Sequence, residues 1–264
     1  MSSRKVLSRK SQSEDLRREL AAAQRELSVL RHRHALFIRA AAHELRTPLQ
    51  PLQGLAELME AGQPLELLTA NLETIKRETA RLVAVVDDLS LRSELEADTL
   101  LIAPTPFHPE SLLEELARTM ESYYPGRLEV EYHDLPLVQA DHEHVRRVIW
   151  MLLLNAMRYS PPEDLICLSV QPKRGKEQIH FLVRDTAPRI LPRYQEMIFE
   201  PLAQMPKSLQ RPRFGLGLGL YVARQIVRRM GGDLWLQYPS LRKDKTSRCG
   251  NIFVLSLPLL QEPI

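Results

Sequence analysis

The run Ala42-His43-Glu44-Leu45-Arg46-Thr47-Pro48 sets an imidazole beside a carboxylate and one helical turn from a hydroxyl. A neutral imidazole is a nucleophile. Glu44 can orient it or accept its proton, and Thr47 lies near the same helix face, where it can position a water. Pro48 has no N–H for the carbonyl of Glu44, so a helix through this stretch bends beside the histidine. Farther along, the amphipathic segment from Asp141 to Pro161 carries Asn155, Arg158 and Tyr159 toward its C-terminal end, presenting an amide, a guanidinium and a phenol together. Gly215, Gly217 and Gly219 alternate just ahead of the helical run that Leu220 continues. Bare N–H groups at a glycine-rich helix start form an anion site, so phosphate binding is the natural chemistry there.

Such groups need long scaffolds. Between Ser13 and Arg33, Leu16, Leu20, Ala23, Leu27 and Leu30 alternate spacings of four and three, a heptad seam that predicts a parallel coiled coil with a second copy of the segment. Residues before about Ser13 are expected to be disordered. A further helical tract from about His34 to Glu60 is closed by Ala61-Gly62-Gln63-Pro64, with Pro51 as a second interruption. The next tract repeats the spacing at Leu68, Leu72, Ile75, Thr79, Leu82, Val86 and Leu89. At about 1.5 Å per residue each arm is roughly 40 Å long, and one hairpin cannot cover both apolar stripes. Two hairpins can, as a dimeric antiparallel four-helix bundle.

After Ala103-Pro104-Thr105-Pro106 the pattern changes to mixed helix and strand. Helices are predicted over Leu112–Tyr123, 141–160 and Tyr221–Met230. Strands are predicted over Leu128–His133, Leu137–Ala140, Ile166–Val170, Ile179–Val183, Leu234–Tyr238 and Asn251–Leu257. The expected fold is α followed by α/β, the second part an α/β sandwich.

His43-Glu44-Leu45-Arg46-Thr47-Pro48-Leu49 resembles the phosphoacceptor box of the histidine kinases. Asn155-Ala156-Met157-Arg158-Tyr159 resembles the asparagine box of their ATPase domain, which has gyrase-type relatives, and Ile198-Phe199-Glu200-Pro201 the phenylalanine box before its ATP lid. Gly215-Leu216-Gly217-Leu218-Gly219-Leu220 is similar to their second glycine box. The likeness spans roughly residues 35–260 and implies an N-terminal tail and coiled coil over 1–34, a dimerisation and phosphoacceptor hairpin over 35–100, a hinge over 101–106 and an ATP-binding domain over 107–264. It implies that His43 takes a phosphoryl group from ATP and passes it to an aspartate of a response-regulator receiver domain, that Glu44 assists, and that Thr47 positions water for phosphatase action. It also implies ATP and Mg2+ as cofactors. Asn155 would engage the metal and phosphates, Arg158 a phosphate, and Tyr159 the side of the nucleotide. Asp185 would read the adenine amino group, and Gly215, Gly217, Gly219 and Leu220 the phosphates. An amide oxygen suits an octahedral magnesium shell completed by phosphate oxygens and water.

Three positions depart from the pattern. Met151 replaces an earlier asparagine, and a thioether is a poor magnesium ligand. In Asp185-Thr186-Ala187-Pro188-Arg189-Ile190, Ala187 and Arg189 replace the two glycines of the first glycine box. If either must take a positive φ it costs about 1–2 kcal/mol, and Pro188 further restricts Ala187; otherwise the loop follows another path. A combined cost of ~2–4 kcal/mol weakens nucleotide binding roughly 30- to 1,000-fold. The alternative reading is therefore a degenerate, non-catalytic scaffold that binds a regulator or partner kinase.

A formal net charge of +3, with 36 Lys and Arg scattered among 33 Asp and Glu, leaves no nucleic-acid footprint. No apolar stretch nears the ~18–20 residues of a membrane span, and the charged start lacks a signal-peptide core, which predicts a cytoplasmic protein. An upstream sensor protein could act through the N-terminal coil. Cys167 and Cys249 lack metal-ligand spacing and are expected to be free thiols.

Overall fold

The computed structural model describes residues 2–61, 71–173, 175, 177–201, 203, 219–237 and 250–260. The chain divides into two compact units, Met1–Val85 and Val86–Ile264.

The first unit is helical. Its leading helix, α1, runs without a break from Ser2 to Glu60 and contains both Pro48 and Pro51. Two expectations are thereby corrected: residues before Ser13 are helical, and the coil and the hairpin arm are one element; the helical tract expected from about His34 to Glu60 is present, and each proline inside it removes a single hydrogen bond. No Pro or Gly precedes Pro48, so nothing local stops helix propagation. Leu20 and Leu27 of the heptad seam are exposed, as expected of a stripe awaiting a partner. A second helix, α2, spans Leu72–Glu96.

The last turns of α2 open the second unit. Asp98, at φ +55°, takes the left-handed position that ends a helix, and Thr99 N–H returns to the Glu94 carbonyl at 2.9 Å. Arg229 caps this end from a distant helix. Its Nη2 donates to Asp98 Oδ1 at 2.6 Å and to the Leu95 carbonyl at 3.4 Å, and its Nη1 to the Leu100 carbonyl at 3.5 Å. A cation at a helix C-terminus also meets the negative end of the macrodipole. Because Asp98 is largely exposed, the expected cost of Arg229→Ala is modest, about 1 kcal/mol in urea unfolding of the whole chain. An unchanged midpoint would show that the cap contributes nothing.

Next, β1 (Thr105–Phe107) pairs antiparallel with β3 (Val138–Ala140), Thr105 opposite Ala140. Pro106 thus sits inside a strand where its sequence predicts a hinge; a two-stranded ribbon tolerates it because one strand edge needs no donor. Helix α3 (Pro109–Tyr123) starts on a proline, whose missing N–H is no loss in a first turn. Then follow β2 (Leu128–Tyr132), α4 (His142–Tyr159), β4 (Ile166–Pro172), β5 (Gln178–Arg184), α5 (Gly219–Arg229), β6 (Asp233–Gln237) and β7 (Ile252–Pro258). The main sheet has the order β2-β4-β5-β7-β6, parallel at β2–β4 and antiparallel elsewhere. A parallel pair needs a long crossover, and α4 supplies it.

Helices α3, α4 and α5 pack together over the sheet. The interior between the layers is apolar and closed: Leu152, Leu153, Ile226, Phe181, Phe253 and Leu255 are each at most 1% exposed. Asp141 caps α4, accepting from His144 N–H at 3.0 Å through one oxygen and from Ala103 N–H at 2.9 Å through the other. One carboxylate therefore starts the helix that carries Asn155 and ties down the chain entering the domain.

Candidate functional site

In the first unit the side chain of His43 is 73% exposed, whereas that of Glu44 is only 9% exposed. The imidazole Nδ1 lies 3.8 Å from Glu44 Oε1, beyond hydrogen-bond distance. Ala41 and Pro48 are buried on the same helix, so the nucleophile faces out where its neighbours face in. Thr47 Oγ1 donates to the His43 carbonyl at 2.9 Å. Its proton is spent on the helix, leaving the hydroxyl lone pairs to accept from a water.

In the second unit Asn155, Arg158 and Tyr159 follow one another on a face of α4. Asn155 and Tyr159 are half-buried and Arg158 is exposed. Just beyond, Ser160 Oγ accepts from Thr186 N–H at 3.2 Å. This bond brings the end of α4 to the loop that follows β5 and begins at Asp185.

That loop is held differently from a glycine-rich one. Asp98 is the non-glycine with positive φ among the described residues, so neither Ala187 nor Arg189 takes the left-handed conformation whose cost the sequence raised. Asp185 is 3% exposed, and its Oδ1 accepts from Ala187 N–H at 3.0 Å and from both the backbone and side-chain N–H of Asn251 at 2.9 Å. Burial raises the pKa of Asp185 above the ordinary carboxylate value, with those bonds opposing the rise. Asn251 was not singled out from the sequence; a polar residue directly after Gly250 at the mouth of an apolar strand was the available signal. A Cβ on Gly250 would collide with the Ala187 carbonyl oxygen and lie 2.7 Å from Asp185 Oδ1. Gly250→Ala is expected to displace this backbone and lower stability by about 1–3 kcal/mol, seen as a drop in melting temperature; an unaltered melt would mean the strands do not approach as described.

Phe199, in a short 3-10 turn, is buried at 5% exposure beneath Arg224, whose guanidinium carbon is 4.8 Å from the ring centre. Arg224 also pairs with Glu196 at 2.7 Å and Asp233 at 3.2 Å, tying this turn to α5 and β6. Gly219 opens α5 and Leu220 is half-buried behind it. Gly215, Gly217 and Cys249 lie outside the described residues. Cys167 is a free thiol, pushed up to about 11 chiefly by burial and then by Glu131. Among the described residues no group of three or more His, Cys, Asp or Glu side chains could hold a metal. Asn155 would contribute one neutral oxygen, which fits a cation that arrives with a triphosphate and takes its other ligands from phosphate and water.

Two family models match. The His Kinase A (phospho-acceptor) domain covers residues 33–98, and the histidine kinase-, DNA gyrase B- and HSP90-like ATPase covers residues 140–261. The signal transduction histidine-protein kinase BarA of Escherichia coli (strain K12) is 30% identical over 205 residues, 75% of this chain and 22% of that protein. The sensor protein TorS of the same strain is 30% identical over 230 residues, 84% of this chain and 24% of its own length. The chain thus spans about a quarter of these relatives. The fold is shared with the Acinetobacter baumannii histidine kinase AdeS, at TM-score 0.58 and 22% identity over 83% of this chain and 98% of that one. It is also shared with full-length ShkA, solved with AMPPNP, at TM-score 0.57 and 23% identity over 88% of this chain and 47% of that one. The chain belongs to the histidine kinase family: a helical phospho-acceptor region is followed by the family's α/β ATPase domain.

Proposed function

We propose that this chain is an ATP-dependent histidine autokinase of a two-component system. His43 takes the γ-phosphoryl group and passes it to an aspartate of a response-regulator receiver domain, and Thr47 supports removal of that phosphate. The observation that carries this reading is the outward imidazole of His43 beside the inward Glu44 carboxylate, on a helix matched by the phospho-acceptor family. A ring nitrogen attacks the γ-phosphorus in line, ADP leaves, and the proton lost from the ring passes to Glu44 or water. Asp185 engages the adenine end. Asn155, Arg158, Tyr159, Gly215, Gly217, Gly219 and Leu220 hold the phosphate end. Asn155 would hold a magnesium ion that arrives with the nucleotide, and such an ion would supply charge neutralisation at the phosphate oxygens.

Leu36, Ile38, Leu49, Leu58 and Met59 on α1 and Leu72 on α2 are large apolar side chains left exposed in the single chain, which supports a homodimer closed through these helices. The seam at Leu20 and Leu27 offers a route for an upstream sensor protein. No described helix is long and apolar enough to cross a membrane. The requirement for ATP and a receiver domain assigns the activity to the cytoplasm.

Autophosphorylation with γ-labelled ATP and magnesium tests the reading. Acid-labile, alkali-stable label on the wild type, lost in Asn155→Ala, is the expected result; no wild-type label at millimolar ATP would favour the scaffold alternative. For Thr47→Ala, dephosphorylation of the phosphorylated regulator should slow by about tenfold or more while autophosphorylation stays within about twofold. Undiminished dephosphorylation would remove Thr47 from the mechanism.

A further inference from the structure

The loop from Asp185 to Ile190 lacks both glycines of its family pattern, yet it folds without left-handed backbone at either position. One side chain braces it. Asn251 Nδ2 donates to Asp185 Oδ1 at 2.9 Å and to the Pro188 carbonyl at 3.3 Å, and Asn251 Oδ1 accepts from Ile190 N–H at 2.8 Å. The backbones are joined as well: Asp185 N–H donates to the Asn251 carbonyl at 3.0 Å and Gly250 N–H to the Asp185 carbonyl at 2.9 Å. Asn251 and Asp185 are each 3% exposed and Ala187 is 5% exposed, so this is a buried network. A single amide thus spans the whole loop, using a donor at its start and an acceptor at its end.

All three donors to the Asp185 carboxylate converge on Oδ1; Oδ2 takes none of them. A carboxylate so fixed presents one defined oxygen, which accepts from N–H and is repelled by a carbonyl oxygen. We propose that Asn251 is a positioning residue for nucleobase recognition. Its amide does for this loop what glycines do by conformational freedom elsewhere, and it aims Asp185 Oδ2 at the exocyclic amine of an aminopurine. The inference rests on the nucleotide-binding reading given above and deepens it: discrimination between an amino and a keto purine depends on a residue that never touches the base.

The test is equilibrium binding of ADP and IDP to the full chain, by calorimetry with magnesium; the pair differs in an amine against a carbonyl, and neither supplies a γ-phosphate. The wild type is expected to prefer ADP by about tenfold or more. In Asn251→Ala the preference should collapse toward one through loss of ADP affinity, with IDP affinity within about twofold. Asn251→Thr, whose single hydroxyl cannot reach both Asp185 and Ile190, should fall between them and decides the matter if the alanine variant does not fold. A merely structural role would weaken both nucleotides equally, so an unchanged ADP-to-IDP ratio in the variants overturns the inference while sparing the nucleotide site. A wild type that binds neither nucleotide sinks the nucleotide reading with it, and one that binds both equally sinks the role of Asp185.

Discussion

Protein carrying His43→Gln, incubated with γ-labelled ATP and magnesium, takes up no acid-labile, alkali-stable label above background. Glutamine is polar and helix-compatible, but its amide nitrogen has no lone pair free to attack phosphorus. His43 is 73% exposed, so its replacement disturbs little packing. It also lies in the helical unit, whereas Asn155 and Asp185 belong to the other, so ADP affinity is expected to stay within about twofold. Undiminished histidine labelling in this variant would refute His43 as the acceptor. Loss of both labelling and ADP binding would mean that the substitution damages the fold. Mixing His43→Gln chains with Asn155→Ala chains, each inactive alone, recovers label if phosphate crosses between protomers.

Asp185→Asn is expected to separate binding from stability. The asparagine oxygen can still accept the three donors now gathered on Asp185 Oδ1, but an NH2 group then replaces the oxygen aimed at the base, donor facing donor. ADP affinity should fall about 10- to 100-fold and IDP should be bound at least as well as ADP. Stability moves the other way. Burial raises the folded-state pKa of Asp185, so folding favours the neutral acid. The stability this confers is fully present below the unfolded pKa and is lost as pH rises through the raised folded value. Asparagine never ionises, so the variant should melt above the wild type at neutral pH, with the gap narrowing as the solution is acidified through the raised pKa. A variant less stable than wild type across that range would show that ionised Asp185 is compensated by its donors.

How much could be read from the residues divides by the range of the interaction. The box around His43 and the face of α4 bearing Asn155, Arg158 and Tyr159 were legible because a helix sets their geometry within four residues. The strands of the second unit were legible for a related reason: alternation predicted β4 at Ile166–Val170 and β5 at Ile179–Val183, and each extends only one or two residues farther. The prolines were read correctly in one place and not in the other. The helix expected to run through Pro48 and Pro51 to Glu60 does so, whereas Pro106, read as part of a hinge, lies within β1. There the lost N–H is one bond, and the partner strand supplies the rest.

By itself the sequence determined a helical region followed by an α/β domain, through local periodicity, and pointed to the histidine kinases and to the histidine on which the proposed chemistry turns through contiguous motifs that resemble those of the family. Only the tertiary structure decided how the altered loop at Asp185 is held. Antiparallel pairing of β5 with β7 sets Arg184 opposite Ile252, and the next step along each strand brings Asp185 to Asn251 across 66 residues of chain. A one-residue slip in that register would turn Asn251 to the other face and leave the carboxylate unbraced.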